Sequence, residues 1–495
     1  MTNAAANYEK IVNSLKKRSK GATAADVCSA TALPLSVVHE LLPKAADEYS
    51  GHLRVTESGE ILYYFPNGFS SRYRGIGAFF RKIAGKSLSL LKKALSFLFK
   101  IWIMVMLVGY FLLFIALALA SVIISIAVRR GSNDDSGGGF IGFGLFDLLI
   151  RLWFYSEFTR IGNHNDDYFS NYGGRVRNKR QMQKQTRPMH KSIFSFVFGE
   201  EDPNKNWKEQ QDRAIIVFIQ GNKGVISLAE YMAFTGENSL EAEKNILSFC
   251  SKFSGSPEIT EEGTIVYRFK ELLMHAPSVK YKELISPVQR LKTFSDNSKK
   301  MNIGLIAVNA VNLIFGSYFL YQSASAGQLI AGSYEGVSYL YAFTHVLISL
   351  ITDAPHVFIG AVLGLVPFLF SLFFWLIPAA RYFLEKKDNE EIKLKNFKRF
   401  SFNKILSNPF KITTDSFINQ ADECRPANLF AAGERVIKDM GAVSNSEIES
   451  VNGRMIYSFP ELEKEKQALE KYRASIDVSA YSPGKTVFDS NDRVV

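Results

Sequence analysis

Three side chains that could bind a metal ion or relay protons lie near one another in the second half of the chain. His345 precedes a break in an apolar run, and Asp353 and His356 lie on either side of the dipeptide Ala354-Pro355. Imidazole and carboxylate groups bind divalent cations and exchange protons near neutral pH. Their spacing matches no metal-ligand motif, and a loop at a membrane boundary would account for the same residues. Both interpretations stay open.

Four further polar residues lie inside apolar segments. Asn309 and Asn312 share one helix face at a spacing of i, i+3, and their amides can form hydrogen bonds between helices. Asp147 and Arg151, at i, i+4, can form an ion pair within one helix. Polar residues in a membrane segment are also candidates for function.

Catalytic and cofactor-binding motifs are not evident. Cys28, Cys250 and Cys424 lie far apart, which excludes a disulfide scaffold and a self-contained zinc or iron–sulfur site. There is no Ser-His-Asp arrangement, nucleophile elbow or metalloprotease helix motif. Gly85-Lys86-Ser87 is similar to the end of a phosphate-binding loop, but Phe80 replaces the first required glycine. We therefore expect a non-enzymatic protein with no cofactor, metal site or catalytic residue.

Three long apolar segments predict transmembrane helices. Residues 101–128 contain no charged side chain, and at about 1.5 Å per residue they exceed the ~30 Å hydrocarbon core of a bilayer. Residues 303–321 and 354–380 are also long enough and apolar enough. Gly360 and Gly364 form a GxxxG pattern, which allows another helix to pack closely.

Two further segments are ambiguous. Residues 140–158 predict either a tilted span or an interfacial helix, whereas 339–351 are short for a span and favour a re-entrant or interfacial segment. If only the first of these crosses, the chain crosses the membrane four times, in hairpins 101–158 and 303–380.

The net charge of +11 is concentrated beside the apolar segments. Residues 71–100 contain eight Lys and Arg and no Asp or Glu, and basic residues outnumber acidic ones in 160–191, 279–301 and 381–411. By the positive-inside rule these stretches and both termini are cytoplasmic, which predicts a multi-pass protein of the bacterial inner membrane. Residues 71–100 form either an amphipathic helix among anionic headgroups or a charged extension of the first span.

A short pattern recurs three times outside the apolar segments. Each copy has a glycine, an aliphatic residue two positions later, a tyrosine at the fourth position and a phenylalanine at the sixth. The copies are Gly59, Tyr63 and Phe65; Gly263, Tyr267 and Phe269; and Gly453, Tyr457 and Phe459. A turn followed by alternating apolar residues is typical of a β-hairpin. Helical patterns precede the hairpins, although the first helix of the third copy is degenerate, so each copy predicts a winged-helix-like repeat.

Winged helices often bind DNA through cations on the third helix. The third helix of the first repeat offers His39, Glu40 and Lys44, and that of the second offers Glu241, Glu243 and Lys244. Because phosphate contacts dominate nucleic-acid affinity, these acidic helices favour cytoplasmic or membrane protein partners and make nucleic acid an unlikely ligand.

The segment 193–204, IFSFVFGEEDPN, resembles the signature of an uncharacterised family of multi-spanning membrane proteins of bacteria, cyanobacteria and plastids. Its members place an FVFGxxDPN element between a membrane hairpin and a winged-helix-like domain. The resemblance implies this architecture and no particular activity. From the residues alone, Phe194, Phe196 and Phe198 alternate as in a strand or a membrane-contacting edge, and the acidic residues 200–202 form a cation site or a linker.

Together these patterns predict an α-helical integral membrane protein with about four spans in two hairpins and three small α/β winged-helix-like cytoplasmic domains. The predicted order is repeat 1 (1–70), a basic amphipathic juxtamembrane segment (71–100), membrane hairpin 1 (101–158), a basic linker (159–198), repeat 2 (199–275), a basic linker (276–302), membrane hairpin 2 (303–380), a basic linker (381–411), a degenerate repeat 3 (412–475) and a flexible tail (476–495).

We expect this protein to act as a scaffold or assembly factor that recruits protein partners through its repeats, in contact with anionic lipid headgroups. Two alternatives are a transporter or channel-like protein with regulatory cytoplasmic domains, and a membrane-tethered DNA-binding regulator. An oligomer is compatible with each of them.

The predicted topology can be tested with cysteine variants in intact cells. A cysteine introduced at Ser132 should react with a membrane-impermeant thiol reagent added outside, whereas one introduced at Asn222 should react only after lysis, because the basic stretches face the cytoplasm. The reverse labelling pattern would show that the orientation is inverted.

Overall fold

The computed structural model describes residues 2–18, 21–66, 68–69, 76–130, 187–274, 287–326, 337–417, 424–451, 453–481 and 484–491. The chain folds into two compact units. Unit 1 comprises Met1–Lys82, Asp202–Lys292 and Lys387–Val495, and unit 2 comprises Ile83–Glu201 and Thr293–Lys386. The chain therefore changes unit four times.

The described residues are mainly helical. In chain order the α-helices are α1 (Thr2–Lys16), α2 (Ala24–Thr31), α3 (Leu35–Glu48), α4 (Ile76–Met104), α5 (Tyr110–Arg130), α6 (Met189–Phe198), α7 (Trp207–Gly221), α8 (Leu228–Thr235), α9 (Ser239–Phe253), α10 (Lys299–Ala326), α11 (Tyr339–Ser349), α12 (Pro355–Phe358), α13 (Val366–Ser407), α14 (Leu429–Gly441) and α15 (Pro460–Ser475). Two π-helical segments are π1 (Val105–Gly109) and π2 (Ile359–Leu365).

The strands within the described ranges form three small antiparallel sheets. They are β1 (His52–Thr56), β2 (Ile61–Tyr64), β3 (Val225–Ser227), β4 (Ser256–Ile259), β5 (Ile265–Arg268), β6 (Glu447–Val451), β7 (Arg454–Ser458) and β8 (Thr486–Asp489). The strand orders are β2-β1-β8, β3-β5-β4 and β6-β7. We call the segment from α1 to β2 module 1, that from α7 to β5 module 2, and residues 412–458 module 3.

Each glycine–tyrosine–phenylalanine pattern lies in one of the three hairpins. The glycines turn the chain in the left-handed region, with φ of +79° at Gly59, +84° at Gly263 and +75° at Gly453. Only a residue without a Cβ atom adopts this region freely. Each tyrosine pairs through its backbone with a residue upstream of the hairpin. These pairs are Ala22 with Tyr63, Ile226 with Tyr267 and Ile412 with Tyr457.

The second helices of modules 1 and 2 begin with the same local structure. The Thr23 hydroxyl accepts a hydrogen bond from the Asp26 N–H, and the Asp26 carboxylate accepts one from the Thr23 N–H. Ser227 and Glu230 form the equivalent capping box ahead of α8. Each box satisfies two N–H groups that the helix itself leaves without a partner.

The three modules, expected as three separate small domains, share one hydrophobic core. It contains buried side chains from each module and, from α13, Phe397, Phe402 and Ile405. A domain of about 60 residues buries only a modest share of its surface and is marginally stable alone. Sharing a core removes more apolar surface from water than three separate domains could.

Arg399 attaches the C-terminal half of α13 to module 2. Its Nε donates to the carbonyl oxygens of Phe234 and Thr235 at 3.0 and 3.1 Å, and its Nη1 donates to Asn396 Oδ1 at 2.9 Å. The guanidinium lies 4.6 Å from the ring centroid of Trp207, and the residue is only 4% exposed. The cation therefore satisfies two carbonyls at the end of α8 that have no partner within that helix.

Three asparagines hold the irregular segment 287–292. Each side-chain amide accepts from the N–H and donates to the carbonyl of one residue in the segment, as a neighbouring strand would. The pairs are Asn396 with Gln289, Asn389 with Lys292, and Asn204 with Arg290, at 2.7–3.0 Å. Asn204 is the last residue of the FVFGEEDPN element, which gives that asparagine a structural role.

Strand β8 replaces part of the flexible tail expected at 476–495. It adds to β1 as an edge strand, with Arg54 opposite Asp489. The Arg54 Nε donates to Asp489 at 2.6 Å, and the Tyr64 hydroxyl donates to the other carboxylate oxygen at 2.5 Å. No local pattern predicts this pairing, because the four-residue strand gains its partners only when distant residues come together.

The long apolar helices lie mainly in unit 2, and the third of them continues into unit 1. Three helical stretches of the described residues are long and apolar enough to cross a membrane: Leu90–Ile126, Lys299–Ser325 and Pro355–Ser407. They contain almost all of the three segments predicted as spans. The predicted segment 339–351 contains the shorter apolar helix α11. The segment 140–158, with Asp147 and Arg151, lies outside the described residues.

The strand alternative for the phenylalanines of the FVFG element is wrong. Phe194, Phe196 and Phe198 lie on α6, and Phe196 packs with Phe294 and Phe374 in a buried cluster. Aromatic residues at every second position suggested the two-residue period of a strand. In so short a run, the same spacing also fits a helix whose aromatic side chains pack on more than one side.

The attachment of β8 should depend on pH. Hydrogen bonds from Tyr64 and Arg54 hold the pKa of Asp489 at about 2, below its usual value of 3.8. A lowered carboxyl pKa stabilises the folded state above the unfolded pKa, and this contribution is lost as the pH falls toward 2. We expect the amide protons of β8 that face β1 to have a higher protection factor in hydrogen exchange at pH 5 than near pH 2.

An Asp489→Asn variant should show weak protection of β8 at both pH values. Asp477→Asn is the matched control, because Asp477 bonds to Ser479 and does not contact β1. Protection of β8 in Asp489→Asn equal to that of the unaltered chain would contradict this role.

Candidate functional site

The two asparagines predicted as intramembrane candidates donate to backbone carbonyls of other helices. Asn309 Nδ2 lies 3.0 Å from the Ser371 carbonyl oxygen, and Asn312 Nδ2 lies 2.7 Å from that of Leu107. Both asparagines are fully buried. Leu107 belongs to π1, where the wider turn departs from the regular hydrogen-bond pattern of an α-helix.

The other π-helical segment receives a donor in the same way. The Tyr110 hydroxyl donates to the carbonyl oxygen of Val362, in π2, at 2.9 Å. In a hydrocarbon environment a polar group must find its partner within the protein. Asn312 and Tyr110 therefore have a clear structural role, in which each supports an irregular turn of a neighbouring helix.

Glycines allow α10 and π2 to pack with backbone contact. A Cβ atom on Gly364 would lie 2.8 Å from the Leu320 nitrogen, and one on Gly316 would lie 2.9 Å from the Phe368 nitrogen. A Cβ atom on Gly360 would lie 2.5 Å from the Ser323 hydroxyl oxygen. Both glycines of the predicted packing pattern thus face α10.

His345, Asp353 and His356 occupy different elements. His345 lies in α11, His356 in α12, and Asp353 in the break between them. Within the described ranges, no group of three or more His, Cys, Asp or Glu residues is placed to hold a metal ion.

The acidic residues of the FVFGEEDPN element bind cations of the chain itself. The Glu200 carboxylate accepts two hydrogen bonds from the Arg187 guanidinium, at 2.6 and 3.0 Å. Asp202 lies 3.5 Å from the Lys292 ammonium, which also contacts Asp388 at 2.8 Å. These ion pairs support the linker interpretation of the segment.

A groove of about 870 Å³ lies in unit 1, beside the hairpin of module 2. Its walls come from the start of α9, from β5, from the end of α14 and from α15. Two aliphatic side chains on its rim are strongly exposed: Leu240 by 79% and Ile265 by 57%. Ile259, 72% exposed, lies directly opposite Ile265 across the hairpin.

Carboxylates outnumber cations among the residues that line this groove. Glu243, Asp439, Glu461 and Glu465 face the single lysine Lys438. Asp439 is paired with Lys398 at 2.7 Å, from outside the groove. Burial raises the pKa of Glu465, and the Ser227 hydroxyl partly opposes this. The groove therefore combines exposed aliphatic surface with a negative potential.

Sequence reasoning did not find this groove. It identified Glu241 and Glu243 as acidic residues on the third helix of repeat 2, which is one wall. The opposite wall comes from module 3, about 200 positions later in the chain, and no local pattern links the two.

The described residues define a mainly helical fold in which three helices are long and apolar enough to cross a membrane, together with small antiparallel sheets. The chain is 26% identical over 445 residues to an uncharacterised chloroplastic protein of Arabidopsis thaliana, a similarity that covers 81% of this chain and 74% of the relative. No family model matches the chain. No solved structure matches it either.

The close packing at Gly364 can be tested by enlarging its side chain. Gly364→Leu places atoms against the Leu320 backbone, so it should lower the thermal unfolding temperature in lipid nanodiscs, at a cost of about 1–3 kcal/mol. Gly304→Leu is the control, because a Cβ atom at Gly304 meets nothing within 4 Å. Equal unfolding temperatures for the two variants would argue against backbone contact at Gly364.

Proposed function

We propose that this protein is a non-enzymatic multi-pass membrane scaffold that docks a basic, amphipathic segment of a partner protein in the groove beside the β4-β5 hairpin. The exposed aliphatic residues beside excess carboxylates in the groove carry this proposal. The helical spans anchor the docking unit to the membrane, with the basic stretches on the cytoplasmic side.

The exposed aliphatic side chains favour a protein partner. Leu240, Ile259 and Ile265 present apolar surface to water, each more than half exposed. Covering such side chains contributes roughly 25 cal/mol per Å² of apolar area removed from water. Clustered apolar side chains rimmed by polar ones are typical of surfaces that bind other proteins.

The charge of the groove specifies the kind of partner. Glu243 and Glu461 would attract lysine or arginine side chains and would repel a phosphate backbone. The order of three helices followed by a hairpin in module 2 resembles a winged helix, so α9 takes the position of a DNA-recognition helix. The acidic residues at the start of α9 support a protein ligand over nucleic acid.

The shared core supports a scaffold role. Because modules 2 and 3 pack together, the two walls of the groove are held in place before a partner arrives. A preformed site loses less conformational freedom on binding than one that must be ordered.

The proposal can be tested with the full chain in zwitterionic nanodiscs and a fluorescein-labelled amphipathic peptide that carries lysines on one face and leucines on the other. Leu240→Ser with Ile265→Ser should weaken binding at least about tenfold, because two large apolar contacts are lost. Fluorescence anisotropy measures the affinity, and binding should fall as salt is added.

The control variant is Leu247→Ser. Leu247 is 51% exposed on the same helix as Leu240 but does not line the groove, so its loss should leave the affinity unchanged. Equal binding of a peptide with glutamates in place of lysines, or tighter binding of a DNA duplex, would count against the proposal.

A further inference from the structure

A wholly apolar crevice of about 390 Å³ lies in unit 2, among α4, π1, α6 and α13. Each of its lining residues is aromatic, aliphatic or methionine. Several of them are exposed at its mouth: Trp102 by 51%, Phe373 by 56% and Leu369 by 40%. The crevice is therefore open on one side and has almost no polar surface that would retain water.

Of the segments that form this crevice, α4, π1 and α13 belong to the candidate spans, and α6 does not. α4 and π1 lie largely within Leu90–Ile126, and α13 lies within Pro355–Ser407. In a bilayer the mouth of the crevice opens onto lipid chains. A void among apolar side chains loses dispersion contacts, so a chain that fills it is favoured over an empty space.

A cation lies one aromatic ring away from the crevice. The Lys100 ammonium lies 4.5 Å from the ring centroid of Phe194, and that ring lies 5.0 Å from the ring of Phe198, which lines the crevice. Phe99, also in the lining, is 5.8 Å from Phe198. Lys92 and Lys93 are exposed further toward the start of the same helix, and 71–100 contain no acidic residue.

We infer that this crevice holds one acyl chain of an anionic phospholipid, whose phosphate is bound by Lys100. If a methylene group takes roughly the 30 Å³ that water occupies in the liquid, the crevice holds about a dozen methylenes, most of one acyl chain. An acyl chain exchanges one apolar environment for another on entry, so the chain alone gives little selectivity. The lysine selects the headgroup, and one such charge gives a preference of about fivefold for an anionic over a zwitterionic phospholipid.

Native mass spectrometry of the full chain with added lipid tests this site. The unaltered protein should retain one phosphatidylglycerol about fivefold more than one phosphatidylcholine. Leu369→Trp, which fills the crevice, should lose that lipid, whereas Leu372→Trp should keep it, because Leu372 is 36% exposed on the same helix but does not line the crevice. Lys100→Gln should retain both lipids equally, and Lys93→Gln should keep the preference.

Fluorescence gives a second measurement that needs no change in the crevice. In a variant with Trp153→Phe, Trp207→Phe and Trp375→Phe, only Trp102 remains, and brominated phosphatidylglycerol should quench it more than brominated phosphatidylcholine. Equal quenching by the two lipids would overturn the inference, as would equal lipid retention by Leu369→Trp and Leu372→Trp. A dimer that Leu369→Trp dissociates would show that a second copy of the chain occupies the crevice instead.

Discussion

The buried guanidinium of Arg399 is the contact on which the arrangement of unit 1 depends. It donates hydrogen bonds to two carbonyl oxygens at the end of α8 and to the Asn396 side chain, and it stacks on the ring of Trp207. A guanidinium only 4% exposed costs a great deal to bury unless its donors are used. Because those donors fit only one placement of α13 against module 2, the interaction selects that placement.

Other contacts of α13 follow from the same placement. Phe397, Phe402 and Ile405 come from the same stretch of helix and enter the shared core, and Lys398 reaches Asp439 of module 3. Asn396 meanwhile holds Gln289. One segment of α13 thus contacts two modules and an irregular strand-like segment, and the groove exists because these contacts fix module 2 beside module 3.

Local patterns in the sequence predicted much of the secondary structure. The three uninterrupted apolar segments correspond to helices long and apolar enough to cross a membrane, since such a run has few other stable structures. Gly59, Gly263 and Gly453 marked three hairpins because a left-handed turn favours glycine. The spacing of Gly360 and Gly364 predicted a close helix contact, and their neighbours in α10 provide it. The same local reasoning allowed a strand at Phe194–Phe198, where the run was too short to distinguish two periods.

By itself the sequence determined which segments are apolar, where the hairpins turn and which stretches carry the basic charge, because each of these depends on neighbouring residues. Only the tertiary structure decided that three modules share a core, that β8 joins β1, and that Leu240 and Asp439 line one groove. Those features depend on pairs of residues hundreds of positions apart, for example Arg54 with Asp489. The free energy of these contacts arises only after the chain has folded, so no local pattern of residue types predicts them.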